Sequence, residues 1–169
     1  MSKCQIFKLH GCPCGNYGSD RECTCTEYQR KRYLSKLSSA IIDRIDIFSS
    51  VNSIKYEEIE KKFVSESSKD IRTRVIKVRK IQEERFKNDN IQYNSQMQKK
   101  HIDKYCKLNS NGTNIMKKLF SNFQISTRAY TRILKVSRTI ADMNNRREID
   151  SKDVIEALQY RKFIGGKIV

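Results

Sequence analysis

The chain has 169 residues, a formal charge of +16, a pI near 9.7 and 37% hydrophobic residues. It has no apolar run of about 18 residues and no N-terminal apolar stretch typical of a signal peptide, so we expect neither a membrane span nor secretion. We therefore expect a cytoplasmic protein, in a compartment where stable disulfides are rare. The positive charge favours a nucleic-acid partner, although a solvated lysine-rich surface would give the same total.

The N-terminal part predicts a short strand over residues 1–10 and then a cysteine-rich loop over 11–26. The loop holds four of the six cysteines in the pattern Cys-x-Cys-x8-Cys-x-Cys, namely Cys12, Cys14, Cys23 and Cys25. Four thiolates so close together suit a tetrahedral zinc ion, although one-residue gaps would strain both ligands of each pair.

Other uses of the four cysteines stay open. An iron–sulfur cluster would have an uncommon ligand spacing here. A redox pair favours Cys-x-x-Cys and a depressed pKa. The plainest alternative is a loop of four reduced thiols that holds no metal.

Residues 27–39 predict a short basic helix that follows the loop. Arg30, Lys31 and Arg32 lie beside Tyr28 and Tyr33, and such a patch can contact phosphates and stack on a base. From the residues alone, a solvated helix face is the better interpretation.

Residues 41–51 predict a strand, because Ile45, Ile47 and Ser49 alternate on one face. Asp43, Arg44 and Asp46 are expected where a helix gives way to this strand. Residues 52–66 have mixed charge and little periodicity, which makes them the candidate linker.

The remaining residues predict a helical bundle. The first helix is capped by Ser67 or Ser68, and the second covers 94–108. The "SNGT" stretch at 110–113 predicts a break before the next helix. On the second helix, His101 is expected at the surface and Cys106 in the core.

The clearest predicted helix follows Ser126, its expected N-cap. Its apolar stripe is Ala129, Ile133, Val136 and Ile140, widened by Tyr130, Leu134 and Ala141, and its polar side is Arg128, Arg132, Lys135, Thr139 and Asp142. A last helix follows Asp150 as N-cap, with Asp153 at its third position.

Four blocks in this order resemble the C-terminal third of the magnesium-chelatase-like AAA+ ATPases of the competence (ComM/YifB) type. They are "CPCGNYGSDRECTCTEYQRKRYLSKLSSAIIDRIDI", "SSKDIRTRVIKVRKIQEERF", "STRAYTRILKVSRTIADM" and "IDSKDVIEALQYR". The resemblance implies a mainly α fold, with a small α/β remnant of an AAA+ core at residues 1–60 and a helical lid at 61–169. The four-cysteine loop favours the competence branch over true magnesium-chelatase subunits.

The resemblance also implies a ring ATPase, with a hexamer as the expected assembly, that acts on DNA in branch migration or competence. The family's ATP–Mg site needs a phosphate-cradling Gly-x-x-x-x-Gly-Lys-[Ser/Thr] loop and an acidic strand end. This sequence contains neither, so we expect ATP and Mg²⁺ to bind only together with a core supplied from elsewhere, and no ATP hydrolysis by this chain alone.

Two arginines match positions that touch nucleotide in the family, and a third is an alternative to one of them. Arg44 matches the arginine finger offered to the neighbouring subunit, although an ion pair with Asp43 or Asp46 is the plain alternative. Arg128 matches the sensor-2 arginine of the lid, and Arg132, one turn further on, is the second choice. The plain alternative for Arg128 is a solvated helix arginine, which is the commoner role of an exposed arginine.

Two other functions remain alternatives at this point. One is a stand-alone, basic, zinc-containing nucleic-acid-binding module, which would have no need of Arg44 and Arg128. The other is a fragment of a magnesium chelatase subunit, which the cysteine loop disfavours.

Overall fold

The computed structural model describes residues 6, 8–51, 54, 56–60, 65–123 and 125–161, and the fold is mainly α. A 3-10 turn at Asn94–Gln96 accompanies the α-helices of this part, which are α1 (Glu27–Leu34), α2 (Ser39–Ile42), α3 (Tyr56–Glu60), α4 (Ser68–Arg85), α5 (Lys99–Tyr105), α6 (Ser110–Phe123), α7 (Thr127–Met143) and α8 (Ser151–Gln159). Each of these helices is too short or too polar to cross a lipid bilayer.

The described residues fall into two units. The first comprises Met1–Ile45 and Ser49–Val64, and the second comprises Asp46–Phe48 and Ser65–Val169. The division into a partial ATPase core at 1–60 and a lid at 61–169 is a functional assignment and stays a prediction.

The second unit is a helical bundle built on α7. The apolar stripe of α7 packs against α8 and α6. Ile133 and Ala141 of α7 and Val154 and Ala157 of α8 are fully buried. The capping predictions are confirmed: Ser126 accepts a hydrogen bond from the N–H of Ala129 at 3.1 Å, and the N–H of Asp150 donates to Asp153 at 2.9 Å. Satisfied helix ends and a continuous apolar face together favour the bundle.

The strand predicted over 41–51 is wrong. Helix α2 ends at Ile42, a turn follows, and residues 45–51 run without strand pairing among the described residues. Ile47 is 53% exposed, because the alternating pattern has no sheet to pack on. The strand predicted over 1–10 falls mostly outside the described residues, and 6 and 8–10 are not in a strand.

The break predicted at "SNGT" is also wrong, because these residues form the first turn of α6. The side chain of Asn109 accepts a hydrogen bond from the N–H of Gly112 at 2.8 Å, which caps the helix one residue before the supposed break. Next to it, Leu108 and Ile149 form an isolated parallel bridge. A Cβ at Gly112 would stand 2.9 Å from the carbonyl oxygen of Ile149, so glycine allows this close approach.

Two further predictions concern α5. Cys106 is buried, as predicted. His101 was expected at the surface but is only 4% exposed, and its Nδ1 accepts a hydrogen bond from the N–H of Gln98 at 3.0 Å. The helix predicted over 94–108 is shorter than expected, because the 3-10 turn and an extended residue, Met97, precede α5.

Candidate metal centre and arginine sites

The four loop cysteines come together in the first unit. The Sγ atom of Cys12 lies 3.3 Å from that of Cys14 and 3.6 Å from that of Cys23, while Cys14 and Cys23 are 3.7 Å apart. With Cys25 included, all four sulfur atoms lie within 4.8 Å of one another, and none is in a disulfide. The one-residue gaps therefore do not prevent all four thiols from facing one point.

The loop backbone explains how these cysteines converge. Gly15 and Gly18 adopt φ values of 82° and 80°, which are accessible to glycine at little cost. The N–H of Gly15 bonds to the carbonyl of Cys12 at 3.2 Å, and the N–H of Tyr17 donates to the Cys12 sulfur at 3.3 Å. Cys12 is fully buried, so it forms the inner side of the cluster.

The donor set fits a single tetrahedral ion. Four sulfurs held at about 2.3 Å from zinc would stand about 3.8 Å from one another, close to the separations found here. Several iron atoms would hold their thiolates further apart, so the spacing favours a mononuclear site. The pKa of the Cys14 thiol is lowered to about 6, because the backbone of Asn16 and then the Cys12 thiol hydrogen-bond to it. A readily ionised thiol of this kind is a good metal ligand.

The basic patch of α1 is less free than the sequence indicates. The guanidinium of Arg30 lies 4.3 Å from the centre of the Tyr17 ring, and Lys31 forms an exposed ion pair with Glu27 at 2.9 Å. Arg32 is exposed, with no side-chain partner among the described residues. The three cations share one short helix, but only Arg32 is left uncommitted.

Arg44 and Arg128 are both exposed, in different units. Arg44 belongs to the turn after α2, where its N–H bonds to the carbonyl of Ile41 at 2.9 Å. Arg128 lies in the first turn of α7, two residues after the N-cap Ser126. Arg132 is different, because it forms an ion pair with Asp46, one of the two carboxylates considered as partners of Arg44.

Sequence reasoning missed a buried charged cluster in the second unit. Asp142, assigned to the polar side of α7, is 1% exposed and receives hydrogen bonds from Arg85, Arg138 and Asn94. Arg138 is equally buried, and desolvation lowers its pKa. The sequence signal was the spacing of Arg138 four residues before Asp142, with the apolar Ala141 beside it. The same spacing is also typical of an ordinary ion pair on a helix surface.

Family comparison agrees with this architecture along most of the chain. Residues 65–161 match the family described as magnesium chelatase, subunit ChlI C-terminal, and residues 3–59 match magnesium chelatase, subunit ChlI. The C-terminal match alone covers more than half of the 169 residues.

Curated relatives extend the similarity to both units. The chain is 37% identical over 160 residues to the competence protein ComM of Haemophilus influenzae, which covers 94% of this chain and 30% of that protein. It is 33% identical over 157 residues to the uncharacterized protein YifB of Escherichia coli and 31% identical over 160 residues to that of Salmonella typhimurium, covering 92% of this chain in both cases. The chain thus spans about 30% of the length of these relatives. These matches and the helical bundle show that the chain belongs to the magnesium chelatase (subunit ChlI) family and is of its ComM/YifB-like type.

Proposed function

We propose that this chain supplies the arginine finger and the sensor-2 lid to a magnesium-chelatase-like AAA+ ATPase ring that acts on DNA. In this proposal, residues 1–60 complete the edge of the nucleotide-binding core and residues 61–169 form the lid. ATP and Mg²⁺ bind in a nucleotide-binding core that is supplied from outside this chain, and the chain does not hydrolyse ATP alone.

The observation that carries the proposal is the different state of the two candidate sensor arginines. Arg128 is exposed in the first turn of a 17-residue helix, where backbone N–H groups add partial positive charge that favours phosphate. Arg132 is already neutralised by Asp46. We therefore assign the sensor-2 contact to Arg128, with Arg132 in a supporting position.

Arg44 has the exposure that a finger needs. A guanidinium directed at the next subunit's nucleotide neutralises charge that develops on the transferred phosphoryl group, and is worth about 10³- to 10⁵-fold in turnover.

The four cysteines are proposed as a structural zinc site. Cys12, Cys14, Cys23 and Cys25 would hold one ion and fix the loop that precedes α1. Zinc bound by four thiolates has no open coordination position, so its contribution is to folding rather than to chemistry. Arg32, with Arg30 and Lys31 behind it, is proposed as the DNA phosphate contact of this unit.

A chimera tests the ATPase proposal in an intact ring. Residues 11–161 replace the matched segment of the Haemophilus influenzae competence protein, and ATP turnover and ATP affinity are measured separately. We expect Arg44→Ala to lower turnover by at least about 10³-fold with ATP affinity within about threefold. Arg128→Ala should weaken both, and the exposed control Lys118→Ala should change neither.

Mixing two inactive chimeras tests action in trans. One carries Arg44→Ala, and the other carries a disabled phosphate-binding lysine in the supplied core. If the finger acts on the neighbouring subunit, the mixed ring recovers part of the turnover. Normal turnover of the Arg44→Ala chimera, or no recovery in any mixture, would overturn the assignment.

A further inference from the structure

The second unit contains a cationic recess far from Arg128. It is a cavity of about 560 Å³ among the C-terminal ends of α4 and α5 and the loop that joins α7 to α8. Its cationic lining consists of Arg85, Lys104, Lys107, Arg146 and Arg147. Asp142 lies fourteen positions after Arg128 on α7, which separates the recess from the sensor-2 position by about 21 Å along the helix axis.

One of the two carboxylates that line the recess is neutralised by arginines. These carboxylates are Asp142 and Glu148. Asp142 lies between two guanidinium groups. Its carboxylate accepts hydrogen bonds from Arg85 at 2.7 Å and from Arg138 at 3.0 Å. Glu148 is exposed at the rim, so the cations outnumber the carboxylates that face the same space.

Part of the positive charge is uncommitted. Lys104 and Arg146 have partners outside the recess, in Asp89 at 3.5 Å and Asp153 at 2.8 Å. The Nε atom of Arg146 is nevertheless buried without a hydrogen-bond partner among the described residues. Lys107 and Arg147 are exposed, and their side chains have no hydrogen-bond or ion-pair partner among the residues that the structure describes.

The loop that carries Arg146 and Arg147 is held from beneath. The buried guanidinium of Arg138 donates hydrogen bonds to the carbonyl oxygens of both residues, at 2.7 Å for Arg147. Asn145 adopts a positive φ of 55°, and the N–H of Arg146 bonds to the carbonyl of Ala141 at 2.8 Å. A fixed loop loses little freedom when its side chains bind a ligand.

The buried ions need a reason other than stability. Ion pairs removed from water are often no more stabilising than apolar residues of the same size. Arg85, Arg138 and Asp142 instead form a rigid support directly under the cationic rim. This is the arrangement expected where side chains must be presented in a defined position.

We propose that this recess binds the phosphate groups of a single-stranded nucleic acid, with Lys107 and Arg147 as the main contacts and Lys104 and Arg146 beside them. A cavity of this size accepts one or two nucleotides of a strand rather than a duplex. The exposed rim favours a polymer over a free anion, because positive charge continues along α4 to Lys77, one turn before the lining residue Ile81. The site does not depend on ATP hydrolysis or on the roles of Arg44 and Arg128.

Charge reversal in the full chain tests the proposal. A fluorescein-labelled twelve-residue oligothymidylate is titrated with protein at several salt concentrations, and binding is followed by anisotropy. We expect Lys107→Glu with Arg147→Glu to weaken binding at least tenfold and to reduce the salt slope by about 1.4, for two lost phosphate contacts on a single strand. The conservative pair Lys107→Arg with Arg147→Lys should keep binding within about threefold.

The control pair Lys69→Glu with Lys118→Glu changes the net charge equally at two exposed positions outside the recess. It should weaken binding by less than about threefold, with the salt slope preserved. Equal losses in the two reversal pairs would show a diffuse charge effect and overturn the proposal. Oligothymidylate binding that is abolished by Arg32→Glu but unaffected by the recess pair would assign the strand to α1 and also overturn it.

A second arm separates a polymer from a small anion. Inorganic phosphate is titrated while the amide resonances of residues 145–148 are followed by NMR. Phosphate binding that the recess pair abolishes, with oligothymidylate binding unaffected, would identify a small-anion pocket and contradict the nucleic-acid assignment. Displacement of bound oligothymidylate by millimolar phosphate, together with the tenfold loss above, supports it.

Discussion

Arg132 of α7 is ion-paired with Asp46, a carboxylate 86 positions earlier in the chain. The two side chains are 27% and 55% exposed, so water competes for both. The pair joins Asp46–Phe48 to the helical unit, and it leaves Arg128 as the arginine of this turn that is available to a phosphate.

The contribution of this ion pair to the free energy of unfolding should be small. A double-mutant cycle with Asp46→Ala and Arg132→Ala should give a coupling free energy below about 1 kcal/mol, because exposed ion pairs are screened and hold two flexible side chains. Urea unfolding of the four proteins measures it. A coupling of several kcal/mol would mean that Asp46–Phe48 is a structural clamp rather than a surface contact.

The buried carboxylate of Asp142 should matter much more. Asp142→Ala leaves Arg85 and Arg138 facing each other without their common anion, and removal of one partner from a buried pair costs about 3–5 kcal/mol. Urea unfolding of the variant measures the loss. Asp46→Ala, which removes an exposed carboxylate, is the matched control and should cost under about 1 kcal/mol. Equal losses in the two variants would show that the buried cluster contributes little.

The zinc proposal predicts one ion per chain in protein purified without chelator, measured by elemental analysis. Cys14→Ser should weaken zinc binding tenfold or more, because an alcohol replaces a thiolate ligand. Cys106→Ala, the control change at a cysteine outside the cluster, should keep the metal. Less than one zinc per several chains of the wild-type protein would contradict the proposal.

The Cys106 thiol should be inert in the folded protein. Burial in the core raises its pKa to about 12, so the neutral thiol, which is the unreactive form, predominates at neutral and mildly alkaline pH. Iodoacetamide at pH 8 should label Cys106 only after unfolding in urea. Mass spectrometry of native and unfolded samples locates the label, and rapid native labelling of this residue would show that the core opens readily.

Gly112 should not tolerate a side chain. A Cβ at this position meets the backbone oxygen of Ile149 at 2.9 Å, and that oxygen cannot move without breaking the bridge to Leu108. Gly112→Ala should therefore destabilise the bundle, although alanine is normally the better helix residue. Thermal unfolding compared with Asn111→Ala, the exposed neighbour in the same turn, measures the effect, and equal midpoints would contradict it.

The helical bundle could be predicted because its signals are local. Apolar residues recur at helical spacing along α7, and Ser126 and Asp150 mark the starts of α7 and α8. The Ser126 side chain accepts a hydrogen bond from the N–H of Ala129, and the Asp153 side chain accepts one from the N–H of Asp150. The cysteine cluster could also be predicted, since sixteen residues contain all four thiols and two glycines that allow the turns.

The features that the sequence did not predict depend on distant contacts. Asp142 was assigned to the polar side of α7, but its burial is compensated by hydrogen bonds from Arg138 and from two distant residues, Arg85 and Asn94, 57 and 48 positions away. The alternating residues of 41–51 indicate a strand, but strand formation needs a neighbouring strand that the described residues do not supply. The break at "SNGT" was misplaced because Asn109, just before it, caps the helix.

The assignment of Asp46–Phe48 to the helical unit has a consequence for dissecting the protein. The N–H of Phe48 donates to the carbonyl of Tyr160 at 2.7 Å, and the Phe48 ring lies 5.5 Å from the guanidinium of Arg161. A helical fragment that begins at residue 65, where the family match begins, would lose these contacts and the carboxylate of Asp46. The helical unit is therefore discontinuous in sequence, and an excised fragment that keeps all of its contacts must carry residues 46–48 along with the bundle.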